Sequence, residues 1–142
     1  MTNPTQDVFL VNESPVRSND WIYIRRAPET EAEIIRYDQF VLRLAKAESR
    51  RDMIFHAILG LCGEVGELAD VIKKELVYNK SLDRAHLVEE LGDIRFYLRF
   101  VQNMYEISDA EVLQRNADKL SIRYKDLTYT DQAAQDRADK DE

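Results

Sequence analysis

Two short acidic motifs carry the most chemistry in this chain: Gly63-Glu64-Val65-Gly66-Glu67 and, further along, Glu89-Glu90-Leu91-Gly92-Asp93. Glu64 and Glu67 are three apart, as are Glu90 and Asp93, so on helices each pair projects from one face. Both pairs border apolar stripes. Glu64 lies one turn from Leu61 and Leu68, and Glu90 lies one turn from Leu87 and Ile94. If the two segments pack as antiparallel neighbours, four carboxylates converge across the seam. Two unit charges about 4 Å apart repel by about 4 kcal/mol at an effective dielectric near 20, so protons or cations must neutralise such a group. The candidate donors are all oxygens, which suits a hard ion, Mg²⁺ or Mn²⁺, better than zinc. A di-iron centre would use Glu-x-x-His motifs, and neither segment has one.

A site of this kind holds Mg²⁺ through a few carboxylates and keeps the other positions for water and substrate phosphates. That favours phosphate chemistry, in which metal lowers the pKa of an attacking water and neutralises a leaving group, and an unsaturated carboxylate takes the water's proton. Asn116, Lys119 and Arg123 fall at i, i+3 and i+7, aligning an amide and two cations that can grip phosphate. The ordinary alternative is a solvated face with cations near a helix C-terminus. Tyr97, one turn beyond Asp93, can meet a sugar or base near the acids, or pack in the core. His56 reads as a packing or hydrogen-bonding residue, and Cys62, beside Leu61 with no cation near it, as buried filler. Gly60, Gly63 and Gly66 do not form a phosphate-binding loop, because they are spaced by three and lack its terminal Lys-Ser or Lys-Thr.

The elements that must position these residues read as helices. Pro4, Pro15 and Pro28 all fall in the first 28 residues, and no proline interrupts the chain after them. The periodicity predicts four amphipathic segments. The first, about 29–49, carries Ile34, Tyr37, Val41 and Leu44; the second, about 52–77, carries Ile54, Ile58, Leu61, Val65, Leu68 and Ile72. The third, about 83–105, carries Leu87, Leu91, Ile94, Leu98 and Val101, and the fourth, about 109–125, opens on a Ser108/Glu111 capping pattern. Short connections at 78–82 and 106–108 favour antiparallel neighbours, hence an all-α, up-and-down four-helix bundle with an N-terminal extension. Interior helical glycines each cost about 0.8 to 1 kcal/mol relative to alanine, so a backbone or ligand is expected to come close at Gly60, Gly63, Gly66 and Gly92. The chain divides into an N-terminal arm over 1–28, containing the apolar runs Val8–Val11 and Trp21–Ile24, a helical catalytic domain over 29–127, and a flexible acidic tail over 128–142.

At 142 residues, 44% hydrophobic and 33% charged, the chain is one domain's worth with enough apolar content for a core. Its 20 basic against 27 acidic side chains leave a net charge of −7, which argues against stable association with nucleic acid or anionic membrane. The lone Cys62 needs no oxidising compartment, and no apolar run approaches a membrane span or a secretory leader. A cytoplasmic protein is expected.

With these motifs the sequence resembles the MazG-like all-α nucleoside triphosphate pyrophosphohydrolases, which include dCTP pyrophosphatases and dimeric dUTPases. The likeness runs from about Phe55 to Tyr124 and rests on Glu-x-x-Glu, a spacer, then Glu-x-x-Asp, filled here by Glu64, Glu67, Glu90 and Asp93. The resemblance implies a module that assembles as a homodimer or homotetramer. It implies Mg²⁺ bound through those four acids, which serve as metal ligands and catalytic residues, and a nucleoside triphosphate cleaved between its α and β phosphates. It further implies phosphate contact by Asn116, Lys119 and Arg123 and nucleoside contact by Tyr97. Many MazG members have Glu-Glu at the start of the motif, whereas Gly63-Glu64 stands here, as in the dCTP pyrophosphatase branch. The competing reading is a catalytically silent, metal-binding helical module that acts through a partner.

Overall fold

The structure, a computed structural model, describes residues 21–24, 33–46 and 49–140. In chain order the elements are β1 (Trp21–Ile24), β2 (Glu33–Arg36), α1 (Tyr37–Leu44), α2 (Arg50–Leu76), α3 (Arg84–Met104), α4 (Asp109–Arg123) and α5 (Asp131–Asp136). Single 3-10 turns follow α4 at Lys125–Leu127 and α5 at Ala138–Lys140. The fold is mostly helical, as the periodicity predicts, and among the described residues no helix is long and apolar enough to cross a membrane.

Side-chain caps set the starts of the long helices. Ser49 accepts from the Asp52 backbone N–H at the head of α2, and Asp83 accepts from that of His86 at 3.1 Å at the head of α3. Ser108 accepts from the Glu111 backbone N–H at 3.1 Å, which is the capping contact expected from that pair. The first segment begins later than its periodicity implies. Glu33–Arg36 is not helix but strand, paired antiparallel with β1 so that Ile22 lies opposite Ile35. The β-branched Ile34-Ile35 pair suits a strand, and pairing with Trp21–Ile24 supplies ladder bonds that a first helical turn would lack. Of the expected N-terminal arm, Trp21–Ile24 is thus one strand of a hairpin, while Val8–Val11 lies outside the described residues. Within the span read as an acidic tail, α5 and the Ala138–Lys140 turn fold back toward α4.

α2 and α3 run antiparallel, as their pairings show. Arg50 donates to the Met104 carbonyl at 3.0 Å, His56 meets the Phe100 ring, Gly60 lies against Tyr97, and Glu64 gathers with Asp93. The connection between them turns through Asn79 in the left-handed region (φ 50°), which asparagine tolerates well. α1 lies on α3, where Asn103 donates to the Asp38 carbonyl at 3.0 Å and Val41 joins Ala57 and Phe100 in a fully buried cluster.

The face that α2 turns to α3 differs from its apolar stripe. Ala57 and Val71 are the buried residues of α2, and they bracket Gly60 and Glu64 along the seam. Ile58 and Val65, both of the predicted stripe, are exposed, as are Leu91 and Leu98 of α3. The stripe therefore divides between a narrow internal seam and a second apolar surface that is exposed among the described residues.

Candidate active site

The antiparallel register of α2 and α3 brings three of the four predicted acids together. Glu64, Glu90 and Asp93 each place a carboxylate oxygen within 4.8 Å of the others. Glu67 stands exposed outside that group, close enough for its charge to act on Glu64. Glu90 is 3% exposed, an unusual position for a carboxylate. Its Oε1 accepts a hydrogen bond from His86 Nε2 at 2.7 Å, while its Oε2 is buried with no hydrogen-bond partner.

Like charges at this spacing repel by about 3 to 4 kcal/mol per pair at an effective dielectric near 20. Partial burial pushes the Glu64 carboxyl above its usual range, and the charges of Asp93, Glu67 and Glu90 push it further. The nearest lysines along α2 do not relieve the cluster, because Lys73 and Lys74 both bind Asp70, at 2.7 and 2.8 Å. Among the described residues no lysine or arginine pairs with Glu64, Glu67, Glu90 or Asp93. Three converging carboxylates, one presenting an orphaned buried oxygen, have the donor chemistry of a hard divalent cation site.

Tyr97 packs across the seam. A Cβ at Gly60 would overlap its ring, so glycine is what allows the ring to lie on α2. His56 and Phe96 hold that ring edge-on, at centroid distances of 5.9 and 5.3 Å. The expected close approach is thus met at Gly60 by a side chain, whereas at Gly63, Gly66 and Gly92 no neighbouring element comes within 4 Å of where a Cβ would stand. Cys62 is exposed rather than buried. Two residues from Gly60 is about 200° around a helix, which turns the thiol away from the seam.

The α4 residues lie apart from the acids. α4 joins α3 at its N-terminus, where Asp109 accepts from Arg99 and from Gln102, and otherwise packs mainly against its own C-terminal continuation. Asn116 and Lys119 are exposed. Arg123 forms a two-pronged pair with Asp139 at 2.5 and 2.8 Å, with the Asp139 side chain only 1% exposed. Arg123 holds that carboxyl well below the usual range, at about 2.

The residue that sequence reasoning missed is His86. Its only advance signal is its position four before Glu90, a spacing that puts two side chains on one helix face.

Residues 56–128 match the family model described as MazG nucleotide pyrophosphohydrolase domain. The chain is 35% identical over 72 residues to the gene 37 protein of Mycobacterium phage L5, an alignment covering 48% of this chain and 63% of that relative. No solved structure matches the chain.

Proposed function

The chain belongs to the MazG nucleotide pyrophosphohydrolase family, and from that premise we propose that it is a Mg²⁺-dependent enzyme cleaving nucleoside or deoxynucleoside triphosphates between the α and β phosphates. The products are a nucleoside monophosphate and pyrophosphate, and the role is control or sanitation of a cytoplasmic nucleotide pool. The observation that carries this reading is the convergence of the Glu64, Glu90 and Asp93 carboxylates, with Glu90 buried and its Oε2 without a hydrogen-bond partner.

In this reading Glu64, Glu90 and Asp93, with Glu67 completing the acidic set, hold Mg²⁺, and Mn²⁺ can substitute. The ion supplies charge neutralisation for the triphosphate and acidifies an attacking water. A carboxylate that the metal leaves unsaturated accepts the water's proton. Asn116 and Lys119, exposed on α4, are the polar side chains assigned to phosphate oxygens, with Arg123 offering its full fork once it leaves Asp139. Tyr97, seated on Gly60, is the side chain assigned to nucleoside contact. The catalytic domain spans 29–127, flanked by the arm and the acidic tail.

The active assembly is a homodimer or homotetramer. Phe55 and Leu59 of α2 are 55% and 68% exposed, and Ile58 and Val65 are exposed beside them. The open surfaces at Gly63 and Gly66 would admit another backbone closely. A second copy of this chain is the partner that buries this apolar surface.

Incubation of the protein with individual nucleotides and Mg²⁺, followed by anion-exchange separation, tests the reaction. Monophosphate and pyrophosphate are the expected products. Orthophosphate and a diphosphate would contradict α–β cleavage, and no product from any nucleotide across metal and pH ranges would favour the silent binding module.

A further inference from the structure

We infer that His86 is a positioning residue that assigns the two oxygens of Glu90, occupying Oε1 so that Oε2 is the atom presented to the cation. This rests on the metal-binding reading of the acidic cluster. At the head of α3, Asp83 accepts from the His86 backbone N–H at 3.1 Å and thereby fixes the first turn. From that turn the His86 side chain reaches one turn forward and donates from Nε2 to Glu90 Oε1 at 2.7 Å.

A carboxylate has two oxygens, and a buried one with both free can rotate to place either, or both, toward its neighbours. Here one is taken, and the other, Oε2, is buried without a hydrogen-bond partner on a carboxylate that groups with those of Glu64 and Asp93. Both the neutral Nε2–H tautomer and the imidazolium donate this bond, so the arrangement depends on the donor and not on the charge. Partners that orient a ligand in this way contribute roughly 10- to 100-fold to metal affinity. His86 is itself 39% exposed, so shortening it leaves the packing of α3 intact.

The molecule also supplies the design of a control. Gln114 donates to Asp118 at 2.7 Å and Gln132 to Asp136 at 2.6 Å, so glutamine reaches a carboxylate four residues on. His86→Gln should therefore keep the bond and His86→Ala should lose it.

The test is direct Mn²⁺ binding to the full chain without nucleotide, followed by loss of the free-ion electron paramagnetic resonance signal, with thermal unfolding by circular dichroism in parallel. Wild type and His86→Gln should bind alike, and His86→Ala roughly tenfold or more weakly, with unchanged metal-free melting. Wild-type affinity in His86→Ala, or equal weakening in His86→Gln and His86→Ala, would overturn the inference. Glu90→Gln separates it from the reading beneath it. If Glu90→Gln abolishes binding while His86→Ala does not alter it, the cation site stands and the role of His86 falls. If wild type takes up no Mn²⁺, both fall.

Discussion

Glu64 is where the electrostatic cost of the acidic seam becomes measurable. Its carboxyl is raised above the usual 4.5 by burial and then by Asp93, Glu67 and Glu90. In the metal-free protein it therefore holds its proton to higher pH folded than unfolded. Its contribution favours folding below about pH 4.5 and is lost as pH rises through the raised folded value. Asp70 and Asp139 work in the opposite sense, because Lys73 with Lys74, and Arg123, pull them down to about 2. Their contributions are present above 3.8 and are lost as pH falls toward 2, a separate window. Melting temperature followed from pH 4 to 8 without metal should fall less steeply for Glu64→Gln than for wild type. Added Mg²⁺ should raise the wild-type melting temperature more at pH 7 than at pH 5, where protons compete for the same oxygens. Parallel pH profiles for the two proteins would reject this account of Glu64. Turnover addresses the ligand set: Asp93→Asn should suppress it at least 100-fold, of the order of one lost catalytic contact, while preserving the helical signal. Glu67→Gln then discriminates. Suppression comparable to Asp93→Asn makes Glu67 the fourth member of the set, and full turnover leaves three. The i, i+3 acid pairs were readable because spacing within one helix determines a common face. The burial of Glu90 was not, since it depends on what α2 lays over it.

At the scale of elements, the tie between α4 and its C-terminal continuation matters most. While Arg123 holds Asp139 through Nε and Nη2, that fork and its charge are committed, leaving mainly Nη1 to donate to a phosphate. Asp139→Asn should therefore free Arg123 and lower KM for the nucleoside triphosphate severalfold with little change in kcat, measured by pyrophosphate release. An unchanged KM would confine Arg123 to holding the chain terminus against α4. The pattern Asn116, Lys119, Arg123 was legible as one helix face, but no local rule pairs Arg123 with an aspartate sixteen residues on. The same holds for α2. Its apolar positions announce a helix correctly, yet the surface it turns to α3 runs through Ala57, Gly60, Glu64 and Val71. A period identifies an amphipathic helix; it does not say which of two apolar surfaces meets the neighbouring segment.

For the whole molecule, an internal core centred on Val41, Ala57 and Phe100 coexists with a broad exposed apolar surface on α2. Surfaces of that kind mark association sites on folded proteins. Light scattering during size exclusion should give at least twice the 16.6 kDa of one chain. Leu59→Glu, placing a charge on the open apolar surface of α2, should shift the mass toward a single chain while helicity persists. A wild type that elutes at 16.6 kDa over the micromolar range would remove the proposed assembly. The long helices, the cap at Ser108 and Glu111, and the pairing of acids on two faces are all legible in the amino-acid order, because each follows from spacings inside one segment. That Glu33–Arg36 pairs as strand, that His86 meets one oxygen of a buried Glu90, and that Tyr97 rests on Gly60 emerges from the folded chain alone. Those outcomes turn on register between segments, where a shift of one residue rotates a helix by about 100° and exchanges every partner.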